Sequence, residues 1–527
     1  MPENLPKESQ APTLRLCTAN NPTKLLTDTQ QQACDPFLRV VRYSGSNIYF
    51  EFEKACSATF LLYEILDPES SSYLAQLEAD QASAARTESS SLNCGPHEPT
   101  NNMSTMSAPE ADTGKIRFIP LSYNSSESQT SALRLILTLR PEWERSDGKI
   151  EFIRFTDGIT NTLLKIVNKR SGLTAEEIDN DAVLLRAYGQ GTDLIIDRER
   201  ETQNHELLMQ YNLAPALLAR FKNGMLYRFI RGAVTSPADL RKQSIWRGVA
   251  RRLAEWHAVV PCLASVRDPL SREIDGSEQF GLTAPTSSKK DPAIQAAIDN
   301  IAPGKPAPNV WTVMQKWIYA LPVGTDAERE RQATLQKELT RLVAEFSDRP
   351  GLGSNGLVFA HCDLLSGNVI IQPRVAGAAT PPAVETVSFI DYEYATPSPA
   401  AFDISNHFAE WGGFDCEHQY LPTCSERRDF IREYIRSYFS HLKKEYDEEA
   451  EVEKMFAEVD LYRGVPGFYW GIWALIQATI SQIDFDYAAY AEVRLGEYWA
   501  WRNETDGSRE ASGKEVPLRE RRWAQDV

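Results

Sequence analysis

Polar residues at fixed intervals interrupt the apolar pattern of one stretch, GLVFAHCDLLSGNVIIQ, which spans residues 356–372. Its two apolar runs predict short buried strands, and His361, Asp363 and Asn368 lie between them. A further apolar run, VSFI, leads into Asp391, so that the four polar residues fall within 31 positions. Carboxylate and amide oxygens in this order can bind Mg²⁺ and accept a hydroxyl proton. The spacing therefore favours phosphoryl transfer from a magnesium–nucleotide complex to an alcohol.

Each of these residues has a predicted role in that chemistry. Asp363 is the candidate base, and Asn368 and Asp391 are candidate Mg²⁺ ligands, with the D-x4-N spacing of protein kinases. His361 is assigned to the catalytic group as the residue that packs and hydrogen-bonds to hold the loop. A lone His is more often a core residue, and a lone Asp more often a cap or turn residue. The order of the four residues, rather than any single one, supports the hypothesis.

A loop over the nucleotide phosphates is predicted in FTDGITN, between two strand-like runs. Gly158 supplies the flexible point of this loop, and Thr160 and Asn161 supply hydrogen-bond donors. The loop is not G-x-G-x-x-G, so it is a poor match to that motif. The hypothesis therefore depends on its position ahead of the Asp363 segment.

A cation that positions the nucleotide is predicted at Arg186, in the strand VLLRAYG. A kinase pairs such a cation with an acid on the next helix, and Glu201 is the better candidate for that acid. The alternative is a rim residue whose charged end reaches solvent. Tyr227 and Phe229, in the later strand GMLYRFIRG, are also assigned to the nucleotide site.

A polar helix face is predicted in PAAFDISNHFAEW. Asp403, Asn406, His407 and Glu410 recur at helical spacing, and they are interpreted as lining a pocket beside Trp411. Asp403 could instead cap the helix, and the whole face could instead be solvated. Glu410 and Trp411 are therefore candidate substrate residues.

Aromatic residues are concentrated late in the chain, where Trp470 and Trp473 share a helix face and Phe485 and Tyr490 follow. An aromatic stripe is usually part of a core. Aromatic rings beside carboxylates also bind organic cations. These four residues and Glu410 are accordingly the candidate site for an amine.

The elements that must position these residues change along the chain. Strand-like runs dominate residues 116–232, and helical periodicity dominates residues 233–502. The predicted fold class is α/β (α+β), with a small strand-rich N-lobe followed by a larger helical C-lobe. Residues 1–115 are predicted to be a low-complexity, partly disordered extension, and residues 503–527 a loose charged tail.

The composition argues against several classes of protein. The 73 acidic residues outnumber the 56 basic ones, and the resulting charge of -17 repels nucleic-acid phosphates. No apolar run approaches the roughly 20 residues of a membrane span. Eight cysteines without a C-x-x-C pair indicate free thiols in a reducing cytosol. We expect a cytoplasmic protein whose oligomeric state stays open, a homodimer included.

Taken together and in order, these motifs resemble the choline/ethanolamine kinase family. The resemblance covers roughly residues 131–502, and residues 1–115 match nothing in the family. FTDGITN, DLLSGN and YAEVR are more similar to ethanolamine kinases than to choline kinases. Cys362 stands where the family usually has Asn. The matching segments are FTDGITN, VLLRAYG, HCDLLSGNVI, FIDYEYA, AFDISNHFAEW and YWGIWALIQATISQIDFDYAAYAEVR.

The resemblance implies a protein-kinase-like, two-lobed fold and transfer of the γ-phosphate of ATP, with Mg²⁺, to a small amino alcohol. For ethanolamine this reaction is the first step of the ethanolamine branch of phosphatidylethanolamine synthesis. The resemblance makes Asp363 the base and makes Asn368 and Asp391 the metal ligands. It assigns the nucleotide-positioning pair to Arg186 and Glu201. The amine site that it implies consists of Glu410, Trp470, Trp473, Phe485 and Tyr490.

Other functions stay open at this point. A primary ammonium favours hydrogen-bond acceptors and a trimethylammonium favours an aromatic cage, and the chain has both, so a choline or dual kinase is an alternative. An aminoglycoside-like phosphotransferase is a further alternative, against which the aromatic cluster argues. A catalytically silent binding protein is disfavoured because Asp363, Asn368 and Asp391 are all present.

Overall fold

The computed structural model forms two compact units, Met1–Thr59 and Phe60–Val527. In the first unit, β1 (Arg39–Ser44) pairs antiparallel with β2 (Asn47–Glu51). The other described elements belong to the second unit. The structure describes residues 39–44, 47–51, 62–63, 116–155, 161–189, 191–262, 292–374, 382–481 and 483–527.

A seven-stranded sheet opens the second unit. Its strands are β3 (Leu62–Tyr63), β4 (Arg117–Ile119), β5 (Lys149–Phe155), β6 (Asn161–Lys169), β7 (Val183–Tyr188), β8 (Leu217–Phe221) and β9 (Gly224–Arg228). They are ordered β3-β5-β6-β7-β9-β8-β4. Only the β4–β8 pair is parallel among these neighbours. The sheet includes the predicted strands on both sides of FTDGITN and in VLLRAYG, whereas β8 was not predicted.

One face of this sheet packs on helix α1 (Ser128–Leu139). Leu135 of α1 is fully buried in one hydrophobic cluster with Leu164 and Ile166 of β6. Side chains alternate along a strand, so the odd-numbered residues of β6, Asn161 among them, lie on the opposite face. That face is the one turned towards the candidate active site.

Two helices follow strands of the sheet. Helix α2 (Ala175–Asp181) begins with a capping box formed by Thr174 and Glu177. Helix α3 (Arg198–Gln210) buries Glu201, an arrangement that requires a cationic partner because an unpaired buried carboxylate is costly.

Short strands frame the segment that contains Asp363. A three-stranded antiparallel sheet has the order β10-β12-β13, in which β10 is Ala233–Val234, β12 is Val369–Ile371 and β13 is Val387–Phe389. A second pair joins β11 (Val358–Ala360) to β14 (Thr396–Ser398). The Asp363 loop therefore begins in one small sheet and ends in the other.

Helices make up most of the remaining chain, and their apolar faces form one large core that includes Trp256, Trp317, Tyr434 and Phe468. The helices are α4 (Pro237–Leu240), α5 (Gln243–Val259), α6 (Pro292–Asp299), α7 (Val310–Ala320), α8 (Asp326–Phe346), α9 (Ala400–Ala409), α10 (Cys424–Leu442), α11 (Glu448–Tyr462), α12 (Val465–Ile480), α13 (Tyr487–Thr505), α14 (Ser508–Ala511) and α15 (Leu518–Trp523).

The prediction of a loose tail over residues 503–527 is wrong. The segment is charged, but α15 ends in Trp523, which is buried. The guanidinium of Arg427 lies 4.0 Å from the centre of that indole, and the indole N–H donates to Asp460 over 2.8 Å. A buried aromatic ring with a cation over its face holds the end of the chain against α10.

Among the described residues, no helix combines the length and the hydrophobicity that a membrane span requires.

Candidate active site

Strand pairing brings the candidate base and the candidate metal ligands together. Asn368 directly precedes β12, and its carbonyl oxygen accepts the N–H of Ile390, the residue before Asp391, over 3.0 Å. The Asn368 side-chain amide donates to the Asp363 carboxylate over 3.1 Å and to the Asp363 carbonyl oxygen over 2.8 Å. Because the amide nitrogen is used in this way, the amide oxygen remains for another partner.

The backbone is strained at both ends of this arrangement. Cys362 has φ of 62° and Asp391 has φ of 65°, in the left-handed region that non-glycine residues rarely adopt. Such conformations cost about 1–3 kcal/mol each and persist where surrounding contacts impose them. Here Cys362 directly precedes the candidate base Asp363, and Asp391 is itself a candidate Mg²⁺ ligand.

A buried carboxylate imposes the conformation at Cys362. The two carboxylate oxygens of Asp403 accept the backbone N–H groups of His361 over 2.9 Å and of Cys362 over 2.8 Å. His257 donates its Nε2–H to the same carboxylate over 2.9 Å. These donors hold the pKa of Asp403 below its ordinary value although burial acts to raise it.

The rest of the polar face of α9 holds the same loop. The Asn406 amide donates to the Cys362 carbonyl oxygen over 3.0 Å, and His407 donates its Nδ1–H to the Leu364 carbonyl oxygen over 2.8 Å. Both side chains are fully buried. The interpretation of Asp403, Asn406 and His407 as pocket-lining residues is therefore wrong, as are the alternatives of a solvated face and of an Asp403 cap, because these side chains bind backbone groups across the core.

His361 lies inside this arrangement as a neutral side chain. Its Nε2–H donates to the Ile390 carbonyl oxygen over 3.1 Å, and its Nδ1 accepts the N–H of Asp363 over 3.3 Å. The ring packs against Trp256 with centroids 5.5 Å apart. Burial lowers the pKa of His361 to about 4. These contacts match the predicted loop-holding role, whose effect on catalysis stays a prediction.

Asp363 itself is enclosed by protein. Burial raises the pKa of Asp363 well above its ordinary value, and the negative charges of Asp391, Glu410 and Glu393 raise it further. The Asn368 amide acts in the opposite direction. A carboxylate in these surroundings has a high affinity for a proton, as a base requires.

Arg186 connects the sheet with α3 and with the Asp391 segment. Its Nε lies 3.0 Å from Oε1 of Glu201, as an ion pair without hydrogen-bond alignment. Its Nη2 donates to Asp391 over 2.8 Å and also to Glu393. The predicted Arg186–Glu201 pair is thus present as a contact, and Arg186 is buried among three carboxylates rather than at a rim.

Glu393 is a part of the site that the sequence analysis did not assign. Besides Arg186, its carboxylate accepts hydrogen bonds from Asn161 of β6 over 3.0 Å and from Arg198 of α3 over 3.2 Å. The signal in the sequence that could have identified Glu393 is its position, two residues after Asp391 in an otherwise apolar run. Glu393 joins the sheet, α3 and the Asp391 segment.

Of the remaining residues predicted to bind the nucleotide, two lie outside the described residues and two pack against other aromatic rings. Gly158 and Thr160 lie outside the described residues. The Tyr227 ring packs edge-on against His205 of α3, with centroids 5.1 Å apart. The Phe229 ring stacks on Phe155 at 6.5 Å. Their nucleotide roles stay predictions.

Most of the predicted amine residues form one chain of aromatic contacts. Trp470 meets Trp473 at 5.5 Å between ring centroids, and Trp473 meets Tyr487 at 5.8 Å. Phe485 then contacts Tyr487 at 4.8 Å and Tyr490 at 5.7 Å. The structure therefore brings the two tryptophans and the later aromatics together.

This aromatic set is attached to the catalytic loop. The Trp470 indole donates to the Asn406 amide oxygen over 2.8 Å, and the Trp473 indole donates to the Tyr394 hydroxyl over 2.8 Å. Tyr394, which the sequence analysis missed, contacts Trp470 edge-on at 5.6 Å. Asn406 thus binds the aromatic set with one end of its amide and Cys362 with the other.

Trp411 does not join this set, which corrects its assignment to the substrate. Its indole is fully buried, packs against Phe408 and donates to Nε2 of His407 over 3.3 Å. Glu410 and Trp411 are consecutive residues of the 3-10 turn Glu410–Gly412 that follows α9. Consecutive side chains of a helical turn point about 100° or more apart, so the two side chains face different parts of the core.

Glu410 is buried beside the aromatic set. Arg494 of α13 donates to Oε1 of Glu410 over 3.4 Å. Burial raises the pKa of Glu410, and Arg494 partly offsets that effect. The negative charge of Glu410 also raises the pKa of Asp363, so the two carboxylates act on each other.

Comparisons with known proteins point to one family. The choline/ethanolamine kinase family matches residues 152–499. Mouse ethanolamine kinase 1 is 31% identical over 389 residues, which cover 71% of this chain and 89% of that protein. A probable ethanolamine kinase from Arabidopsis thaliana is 30% identical over 371 residues, which cover 69% of this chain and 83% of that protein.

A solved structure supports the architecture. An ethanolamine kinase from Plasmodium vivax aligns with a TM-score of 0.51 at 22% identity, over 71% of this chain and 89% of that chain. The predicted two-lobed, protein-kinase-like fold is thereby confirmed. With the family match across most of the folded sequence, the chain belongs to the choline/ethanolamine kinase family and is a kinase.

Proposed function

We propose that this kinase transfers the γ-phosphoryl group of ATP to the hydroxyl of ethanolamine, which yields ADP and phosphoethanolamine. The observation that carries the proposal is the position of Asn368, which donates to the Asp363 carboxylate and accepts from Ile390, the neighbour of Asp391. Asn368, itself a candidate metal ligand, therefore connects the candidate base Asp363 with the segment that contains the second candidate ligand, Asp391. Ethanolamine kinase 1 of mouse and the probable ethanolamine kinase of Arabidopsis thaliana support the choice of alcohol.

The residues present fit a Mg²⁺ ion. Among the described residues, no three acidic, His or Cys side chains cluster to hold a metal by themselves. Mg²⁺ is usually bound through one or two protein oxygens, with waters and substrate phosphates as further ligands. The Asn368 amide oxygen and the Asp391 carboxylate, which is 26% exposed, supply such oxygens. Bound there, Mg²⁺ would neutralise charge on the β- and γ-phosphate oxygens.

Asp363 accepts the proton of the substrate hydroxyl. The hydroxyl oxygen forms its bond to the γ-phosphorus while the bond from that phosphorus to the bridging oxygen breaks, and ADP leaves with that oxygen. The raised pKa of Asp363 favours uptake of the proton. Arg186 and Arg198, both held by Glu393, supply positive charge beside this centre.

The ammonium end of ethanolamine binds between Glu410 and the aromatic set. A primary ammonium donates hydrogen bonds to a carboxylate and is attracted to the faces of aromatic rings. Asn406 connects the aromatic set to the catalytic loop through Trp470, so a bound amine is fixed relative to Asp363. Fixed orientation of the hydroxyl is a large part of the rate enhancement in such reactions.

Choline is the second candidate because Trp470, Trp473 and Tyr490 could also surround a trimethylammonium group. ADP release with ethanolamine, N-methylethanolamine, N,N-dimethylethanolamine and choline distinguishes the candidates. We expect kcat/KM to be highest for ethanolamine and to fall with each added methyl group. A higher kcat/KM for choline would contradict the proposal, and equal values would indicate a dual kinase.

We also propose a cytoplasmic location, where ATP and ethanolamine are both available to the enzyme. Phosphoethanolamine would then feed phosphatidylethanolamine synthesis. Fractionation of cells that express the full-length chain tests the location, and recovery of the chain within a membrane-enclosed compartment would contradict it.

A further inference from the structure

A buried arginine lies between two carboxylates next to the proposed amine site. Arg494 of α13 is 1% exposed, and its Nη2 lies 3.4 Å from Oε1 of Glu410. Its Nε lies 3.5 Å from Oε2 of Glu497, one turn further along α13. Its Nη1 donates to the Cys416 sulfur over 3.6 Å. One positive charge is therefore shared between the candidate substrate acid and a second acid.

The second acid is held in its charged form from the outside. His418, 24% exposed, donates its Nε2–H to Oε1 of Glu497 over 2.6 Å. Arg494, His418 and Arg519 together lower the pKa of Glu497 to about 2 although burial raises it. Glu497 thus stays ionised and keeps its attraction for Arg494.

Few charged groups face Glu410 in the described residues. Arg494 and Glu497 face it from α13, and the catalytic loop contributes Asp363, whose pKa Glu410 raises. A carboxylate that binds an ammonium must be ionised before the ligand arrives. If Glu410 formed a closed pair with an arginine, its charge would already be satisfied and the ammonium would compete with that pair.

We propose that Arg494 is a positioning residue for the amine, which keeps Glu410 ionised, and that Glu497 draws part of the Arg494 charge away so that Glu410 still attracts an ammonium. This inference rests on the proposed function, in which Glu410 binds the ammonium of ethanolamine. Arg494 and Glu497 touch neither the phosphates nor the hydroxyl in this account. Their effect is therefore on amine affinity rather than on phosphoryl transfer.

Three variants separate this role from simple support of the fold. Arg494→Met leaves two buried carboxylates of which one takes up a proton. Glu410 is the one protonated, because His418 and Arg519 still hold Glu497 in its charged form. Glu497→Gln leaves Arg494 paired with Glu410 alone. The double variant removes the charges of both Arg494 and Glu497, so that the incoming ammonium has no competitor for Glu410.

The measurements are the KM values for ethanolamine and for ATP between pH 6.5 and 8.5. For Arg494→Met we expect the ethanolamine KM to rise on the order of tenfold at neutral pH and to recover as the pH rises, because Glu410 ionises again. For Glu497→Gln we expect a rise that persists across the pH range. The double variant should have a lower ethanolamine KM than Arg494→Met at neutral pH, and Arg494→Lys should retain most of the wild-type affinity.

Matched surface variants provide the controls. Arg331 and Glu492 form an exposed ion pair between α8 and α13, so Arg331→Met and Glu492→Gln should leave both KM values unchanged. A double variant with an ethanolamine KM no lower than that of Arg494→Met would overturn the inference. An equal rise in the ATP KM would also overturn it, because it indicates general damage to the fold.

The same series distinguishes failure of the inference from failure of the proposed function. A wild type that phosphorylates choline but not ethanolamine contradicts the proposed substrate, and the variants are then compared with choline, for which the same order of KM values is expected. A wild type without activity on either amine, and without a change in tryptophan fluorescence when either is added, contradicts both the proposed function and the inference.

Discussion

The carboxylate of Asp403 accepts the backbone N–H of Cys362 over 2.8 Å at the position where φ of Cys362 is 62°. A helix residue about forty positions further along the chain therefore fixes the strained residue directly before Asp363. Among non-glycine residues, Asn, Asp and His adopt this conformation most readily, and cysteine is not one of them. In this chain, the cysteine is held in that geometry because Asp403 accepts its N–H and Asn406 donates to its carbonyl oxygen.

Replacement of Asp403 by Asn tests this dependence. The variant turns one acceptor oxygen into a donor that faces the N–H groups of His361 or Cys362, and it removes the charge that His257 meets. We expect the free energy of unfolding to fall by about 2–4 kcal/mol, with a loss of kcat that exceeds any change in either KM. Urea unfolding and steady-state kinetics measure the two effects. Asp348→Asn is the control, since Asp348 is 89% exposed.

The account of Asp403 would be wrong if Asp403→Asn unfolded at the wild-type urea concentration and kept the wild-type kcat. A loss of stability with unchanged kcat would show that the hydrogen bonds support the core without fixing the geometry of the loop.

Stability should fall in mild acid because histidines are buried in the neutral form. Burial lowers the pKa of His407 to about 4, and protonation would direct a second N–H of His407 at the Trp411 indole N–H. The ordinary pKa of histidine is about 6.5, so between these values the folded chain binds fewer protons than the unfolded chain. The contribution is thus fully present above about pH 6.5 and is lost as the pH falls towards 4.

His407→Gln tests this pH dependence, because Gln can donate to the Leu364 carbonyl oxygen without titrating. We expect the variant to have a shallower dependence of unfolding free energy on pH, by up to ~1.4 kcal/mol per pH unit. Urea unfolding at several values between pH 4.5 and 7.5 provides the slope. The exposed His441 serves as the control, and His441→Gln should leave the slope unchanged. An unchanged slope in His407→Gln would contradict the neutral, buried state.

The end of the chain should contribute to stability. Trp523 packs beneath the Arg427 guanidinium and donates to Asp460, so Trp523→Ala removes a buried ring together with its cation–π contact and its hydrogen bond. We expect a loss of about 3–5 kcal/mol in the free energy of unfolding, measured by urea denaturation. Trp499→Ala, at a half-buried site of α13, should cost less. Equal losses in both variants would contradict the docked position of Trp523.

The local elements of the site could be predicted from the sequence. The apolar runs around His361 and Asp391 have strand-like composition, and the D-x4-N spacing places Asp363 and Asn368 in one loop. Arg186 stands out because a charge is rare in so apolar a strand, and its acid partner Glu201 follows in the next helix. These signals depend on neighbours within a few residues, where sequence patterns are informative.

Contacts between distant segments could not be predicted in the same way. The polar residues of α9 recur on one face, and from the sequence such a face suggests a pocket. The spacing does not reveal that these side chains bind the backbone of Cys362 and Leu364. Trp411 follows Glu410 directly, and consecutive side chains of a helix or a 3-10 turn point in different directions, so adjacency in the sequence does not place the indole beside the aromatic set. The charged composition of residues 503–527 suggests a loose tail, although one buried tryptophan holds its end in place.

The role of Asp363 as the base in phosphoryl transfer to ethanolamine is the central claim, and Asp363→Asn tests it most directly. Asn keeps the shape of the side chain and cannot accept the hydroxyl proton. The measurement is the rate of phosphoethanolamine formation at saturating ATP and ethanolamine, followed by phosphorus NMR, with ATP binding measured in parallel by calorimetry. We predict that the rate falls by about 10²–10⁴-fold while ATP affinity stays within a few-fold of wild type. Wild-type rates of phosphoethanolamine formation in Asp363→Asn would contradict the account.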